Sequence, residues 1–157
     1  MDKGAFEVEL GYYKGPLERV LAGLEDARLD GAVLELDGES EELLGFIEER
    51  TRDRPDLAEA NRGREKPRHR FGPISFGRGQ SRELPIERDT FAVLRDMLGR
   101  HAAPEIAIEL RVRDDDGYLV EAPDAGDNAI WVSRRLPEPA VAALRAALGE
   151  GLRPPGS

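Results

Sequence analysis

Over residues 62–82, seven basic side chains, Arg62, Arg64, Lys66, Arg68, Arg70, Arg78 and Arg82, stand against one acid, Glu65. The first five occupy every second position and lead into Phe71. In an extended chain such charges project to one side, as in an arm that grips phosphates while rings such as Phe71 and Phe76 stack on bases. The competing reading is a solvated loop whose cations offset an acidic body. The chain holds 32 acidic and 23 basic residues, a net charge of -9. Seven against one is +6 over this stretch, so a total of -9 leaves -15 for the rest. A field of that sign resists a polyanion.

Other chemistry finds little footing. His69 and His101 are too dispersed for a metal-ligand spacing, and a third ligand would have to be a carboxylate. No Gly-x-Ser-x-Gly elbow surrounds Ser40, Ser75, Ser81 or Ser133. Asp114-Asp115-Asp116-Gly117 lacks the ligand spacing of a calcium loop and suits a hairpin turn instead. Asp124, Asp127 and Asn128 read as another polar loop, since Asp and Asn bond their own backbone in turns. Gly77-x-Gly79 has no third glycine and no strand-to-helix junction, and no phosphate loop occurs. With no Cys, disulfides, thiolate zinc sites, iron-sulfur clusters and cysteine nucleophiles are excluded. The expectation is no metal and no cofactor, and the reading leans away from an enzyme. A site of carboxylates gathered from distant positions stays as the catalytic alternative.

The elements that would carry these residues are clearest over residues 105–133. Ile106, Ile108, Leu110 and Val112 alternate with polar or small neighbours, as in a strand with one buried face. Asp115-Asp116-Gly117 turns the chain. A three-residue loop with Gly117 at positive φ sets Val120 opposite Val112, Ala122 opposite Leu110 and Glu121 opposite Arg111. A third strand follows at residues 129–133.

Upstream, Phe6, Val8, Leu10 and Tyr12 alternate as a first strand, and Leu17, Val20, Leu21 and Leu24 form a helical stripe after Gly15-Pro16. Val33, Leu34 and Leu36 suit a buried strand, which suggests a parallel crossover. Ser40 caps a second helix bearing Leu43, Leu44, Phe46 and Ile47. Residues 51–82 are predicted to be a basic loop, least ordered over 55–70 unless a short helix occurs around 56–60, with an edge strand across Phe71, Ile74 and Phe76. Further helices carry Phe91, Leu94, Met97 and Leu98, then Val141, Leu144 and Leu148. The order predicts one α+β domain over residues 1–152, a two-layer sandwich whose mixed sheet has five to six strands with helices mainly on one face, and a disordered tail at 153–157.

No leader-like segment and no run of 18 apolar residues occurs, so a cytoplasmic protein without membrane contact is expected. The leading functional expectation is a non-enzymatic binding or regulatory module. It would engage a protein partner or a second copy of itself through its acidic surface or an open sheet face carrying Tyr13, Glu109, Arg111, Arg113, Leu119 and Trp131. A nucleic-acid-associated protein using the arginine-rich stretch is the alternative.

Overall fold

The computed structural model describes residues 8–12, 17–64, 81–122 and 129–148. Six strands, β1 (Val8–Tyr12), β2 (Val33–Leu36), β3 (Arg82–Pro85), β4 (Leu110–Asp114), β5 (Gly117–Ala122) and β6 (Ala129–Val132), form one sheet in the order β1-β6-β5-β4-β2-β3. Helices α1 (Leu17–Asp26), α2 (Glu41–Arg50), α3 (Pro55–Arg64), α4 (Thr90–Met97), α5 (Ala103–Ile106) and α6 (Glu138–Leu148) complete the α+β fold.

Among the described residues every ladder is antiparallel, which corrects the expected mixed sheet there. β1 and β2 do run the same way, but β6, β5 and β4 lie between them. The helical link was legible as a crossover, whereas its span was not, because the intervening strands come from the far end of the chain.

One face of the sheet bears Leu34, Leu84, Val112, Val120 and Val132 in register, with Leu36, Leu110 and Ala122 alongside. All are buried in a single core with Leu17, Val20, Leu21 and Leu24 of α1, Phe91, Leu94 and Met97 of α4, and Ala140, Leu144 and Leu148 of α6. Burial of this apolar area supplies the main drive to fold, at roughly 25 cal/mol per Å². The stripes read from the sequence are the ones that pack.

The hairpin has the expected pairs, Val112 with Val120, Leu110 with Ala122 and Arg111 with Glu121. Gly117 takes φ +136°, a region that L side chains rarely adopt. The loop is shorter than expected, because Asp114 pairs with Gly117 and Arg113 with Tyr118. The extra residue is Leu119, in a bulge. This corrects its assignment to the open face, since Leu119 lies buried in the core.

Residues 103–106 are helical, which shortens the strand expected from 105 onward. Pro104 stands in the first turn and the Glu105 carboxylate accepts from the Ala102 N–H at 3.2 Å, while Asp37 draws the N–H groups of Ile108 (2.7 Å) and Glu109 (3.1 Å) out of any ladder. Gly38 is needed beside this anchor. A Cβ there would lie 2.1 Å from the Ile106 carbonyl oxygen.

The predicted basic loop is corrected too, since its first part contains the ten residues of α3. The expected edge strand at 71–76, the acidic connection at 124–128 and the tail at 153–157 lie outside the described residues. Among the described residues, no helix is long and apolar enough to cross a membrane.

Candidate anion-binding cleft

α2 forms one wall of a cleft and is pinned at both ends. At its start the Ser40 hydroxyl accepts from the Leu43 N–H at 3.0 Å, and at its end the buried Thr51 hydroxyl donates to the Ile47 carbonyl at 2.8 Å. Arg50 grips Asp89 through two bonds of 2.7 and 2.8 Å and Glu87 through one of 3.0 Å, while its guanidinium lies 4.7 Å from the centre of the Phe46 ring. Those hydrogen bonds raise the pKa of Arg50 and lower that of Asp89. At the other end Glu42 receives Arg100 and, at 2.8 Å, His101. Hydrogen bonds from Arg100 and then His101 hold the Glu42 carboxyl down at about 2.

α3 forms the second wall, and little in its sequence announces it. Of its ten residues, PDLAEANRGR, Leu57 and Asn61 are the buried anchors. The Asn61 amide donates to the Glu83 carbonyl at 2.8 Å and accepts the Glu83 N–H at 2.7 Å. β3 is an edge strand, so Asn61 supplies both bonds that a neighbouring strand would make and blocks the edge at that point. β3 supplies the third wall.

The cleft between them has a volume of about 510 Å³. It is lined by Leu44, Ile47 and Ala58 on the apolar side, and by Arg52, Arg62 and Arg82 with Glu48, Thr51 and Asn61 on the polar side. Seven other arginines are already engaged: Arg50, Arg54, Arg95, Arg100, Arg111, Arg113 and Arg135 each hold a carboxylate. Among the described residues, Arg52, Arg62 and Arg82 hold none, and Nη1 of Arg82 is buried without a hydrogen-bond partner. Nε of Arg95 is also unpartnered, but that side chain is bound to Glu25 at 2.8 Å through Nη1. A buried donor with nothing to donate to costs about 1–3 kcal/mol.

The arginine-rich stretch was therefore informative at its ends. Arg62 and Arg82, far apart in sequence, meet in one cleft. Arg64 is the last residue of α3, and Lys66, Arg68, Arg70 and Arg78 lie outside the described residues. Arg52 escaped the sequence reading because it stands ten residues before the stretch, and only the α2-to-α3 reversal returns it to Arg62.

The second candidate surface is the other face of the sheet. Arg111, Glu121 and Trp131 stand side by side on β4, β5 and β6, as expected. Tyr13 lies outside the described residues. Glu109 precedes β4, though its charge still reaches Arg111. The sequence reading missed Glu35 and Glu83, which face each other on β2 and β3 and are buried to within 5% of full enclosure. Their carboxylates converge on Arg113, whose Nε lies 3.2 Å from Glu35 and 2.9 Å from Glu83, and Tyr118 donates to Glu35 at 3.3 Å. Burial alone would lower the Arg113 pKa, but the hydrogen bond and charge of Glu83, with help from Glu35, raise it. Burial and the Glu35 charge push up the Tyr118 hydroxyl. The pattern Val-Leu-Glu-Leu hid this carboxylate pair in what read as a uniformly apolar strand.

His101 is spent on Glu42 and lies 3.6 Å from Glu105. Among the described residues, no group of three or more His, Asp or Glu side chains is placed to hold a metal ion. No protein-family model, curated protein or solved structure matches the chain.

Proposed function

We propose that the protein is a non-enzymatic binding module whose ligand is anionic and enters the cleft between α2, α3 and β3. The observation that carries this reading is the gathering of Arg52, Arg62 and Arg82 along one cavity without carboxylate partners among the described residues. A guanidinium offers a planar fork of donors that matches phosphate and carboxylate oxygens. The wall bearing Arg62 is fixed by the adjacent Asn61, and the wall bearing Arg82 by the adjacent Glu83, so the backbone that carries two of the three arginines is in place before a ligand arrives.

A nucleic-acid partner is the second reading, favoured by the fact that residues 62 and 82 bound the arginine-rich stretch and both line the cleft. Binding of a protein partner through the sheet face ranks behind both. The charges there are engaged with one another, Arg111 with Glu121 and Arg113 with Glu35 and Glu83, so only one negative charge of these five side chains is left over to attract a charged partner. Cytoplasmic residence belongs to the same proposal.

Thermal melting in inorganic phosphate, against sodium chloride of equal ionic strength, tests the cleft. A ligand present at 100 times its Kd stabilises by about 2.7 kcal/mol, which at this chain length raises Tm by about 5–11 °C. The rise is expected in the wild type and absent in Arg82→Gln. Equal melting temperatures in the two salts would refute the proposal.

A further inference from the structure

We infer that the cleft's ligand is a small phosphomonoester with a flat, largely apolar body, of the size and kind of an aryl monophosphate. The inference rests on the anion-binding reading and adds the identity of the ligand class. Charge supplies the first argument. Among the described residues, the lining holds three guanidinium groups and the one carboxylate of Glu48, an excess of two positive charges, which matches a phosphomonoester, at about -1.5 to -2 near neutral pH. A carboxylate would neutralise half of that excess.

Shape supplies the second. A volume of about 510 Å³ is much more than a phosphate ion fills, and it lies within the range of about 300–1,000 Å³ common to small-molecule sites. The remaining space is lined by Leu44, Ile47 and Ala58. Aliphatic side chains offer nothing to a sugar's hydroxyls but a good surface to a planar ring, whose burial is favourable by area alone. The Thr51 hydroxyl is already donated within α2, and the Asn61 amide is bonded on both sides to Glu83. The ligand's polar end therefore falls to the arginines and its body to the aliphatic strip.

A nucleic-acid strand fits the described surface less well. It needs a track of cations, whereas Arg50, Arg54 and Arg100 beside α2 and α3 are each neutralised by a carboxylate.

The experiment is calorimetric titration of the full chain at constant ionic strength with inorganic phosphate, 1-naphthol, phenyl and 1-naphthyl monophosphate, and a 20-nucleotide single strand without a terminal phosphate. At least one aryl monophosphate is expected to bind about tenfold or more tighter than inorganic phosphate, and 1-naphthol alone to bind weakly or not at all. Arg52→Gln, at a cleft position that holds no other contact, is expected to weaken the monophosphate about tenfold or more while the melting temperature without ligand stays within about 1 °C. Leu44→Ala, at a lining position only partly buried, is expected to weaken the monophosphate but leave inorganic phosphate unchanged. If phosphate binds as tightly as every monophosphate, the ligand class proposed here is overturned and the anion cleft stands. If the strand binds tightest and Arg64, Lys66, Arg68 and Arg70, all changed to Gln, abolish its binding, the nucleic-acid reading replaces it. If no anion binds, both proposals fall.

Discussion

Replacing Asn61 by Ala removes the two hydrogen bonds that tie α3 to the edge of the sheet. Both are short, 2.8 and 2.7 Å, and Asn61 is 8% exposed, so water does not hold these groups in the folded protein. Deleting the amide orphans one donor and one acceptor on Glu83. Each orphaned group costs about 1–3 kcal/mol when it stays dry. Because β3 is an outer strand, α3 can lift and admit water, which favours the lower half of that range. About 2–4 kcal/mol in total is expected, a fall in Tm of about 4–16 °C at 2–4 °C per kcal/mol for a chain of this length. Urea denaturation followed by circular dichroism measures the loss. Amide exchange locates it, with the Glu83 N–H expected to lose protection while that of Val112 keeps it. Phosphate affinity should fall as well, since Arg62 sits on the released helix. A loss below about 0.5 kcal/mol with an unchanged urea slope would show that the amide does not hold α3, and the pre-positioning of the cleft would fail with it.

Arg113→Met leaves the buried carboxylates of Glu35 and Glu83 without their cation, so a loss of about 3–5 kcal/mol is expected, and Glu83→Gln in the same chain should restore part of it in a double-mutant cycle. Gly117→Val forces a branched side chain into φ +136°, so the fold should weaken by about 1–3 kcal/mol in chemical denaturation, against no change if the turn relaxes freely. Glu42 is held at about 2 in the folded protein against 4.5 for an ordinary Glu. Its stabilising contribution is therefore full above about pH 4.5 and is lost as the pH falls through 2. Melting of wild type and Glu42→Gln should differ at pH 6 and converge near pH 2; a constant difference across that window would contradict the assignment. Gly38→Ala places a Cβ 2.1 Å from a backbone oxygen and is expected to raise the urea sensitivity more than Gly45→Ala, whose Cβ meets nothing.

The parts of this fold that were legible in the sequence are those where one signal decides. Leu110, Val112, Val120 and Ala122 alternate around an Asp-Gly turn, and a slip of one residue would expose the apolar set, so their pairing followed from pattern alone. What stayed hidden depends on partners remote in the chain. α3 is polar nearly throughout, and its reason to be helical is the Asn61 amide finding Glu83, 22 residues on. β3 reads as Arg-Glu-Leu-Pro, two charges and a helix breaker. It becomes a strand because Leu84 lies opposite Leu34, and Glu83 opposite Glu35, where both carboxylates bond to Arg113. The cleft was half legible: residues 62 and 82 carried a charge signal, but no local rule brings Arg52 and the aliphatic strip of α2 to them.

The strand order has a consequence for how the chain reaches this structure. β2 is complete by residue 36, yet its neighbours β3 and β4 begin at residues 82 and 110. β1 waits longer, for a β6 that begins at residue 129. During synthesis the first half of the chain can form helices and a few local apolar contacts, but every sheet partner it needs is still to be made. Loops of this length must close before those contacts reward the chain, so folding should be governed by the β4 and β5 hairpin, whose two strands are joined by Asp115 and Asp116 alone. Once that ribbon exists, β2 can add to one side and β6, then β1, to the other. A ribosome-stalled chain ending before residue 110 should accordingly remain open to protease at residues 33–36, and one extended past residue 148 should protect them.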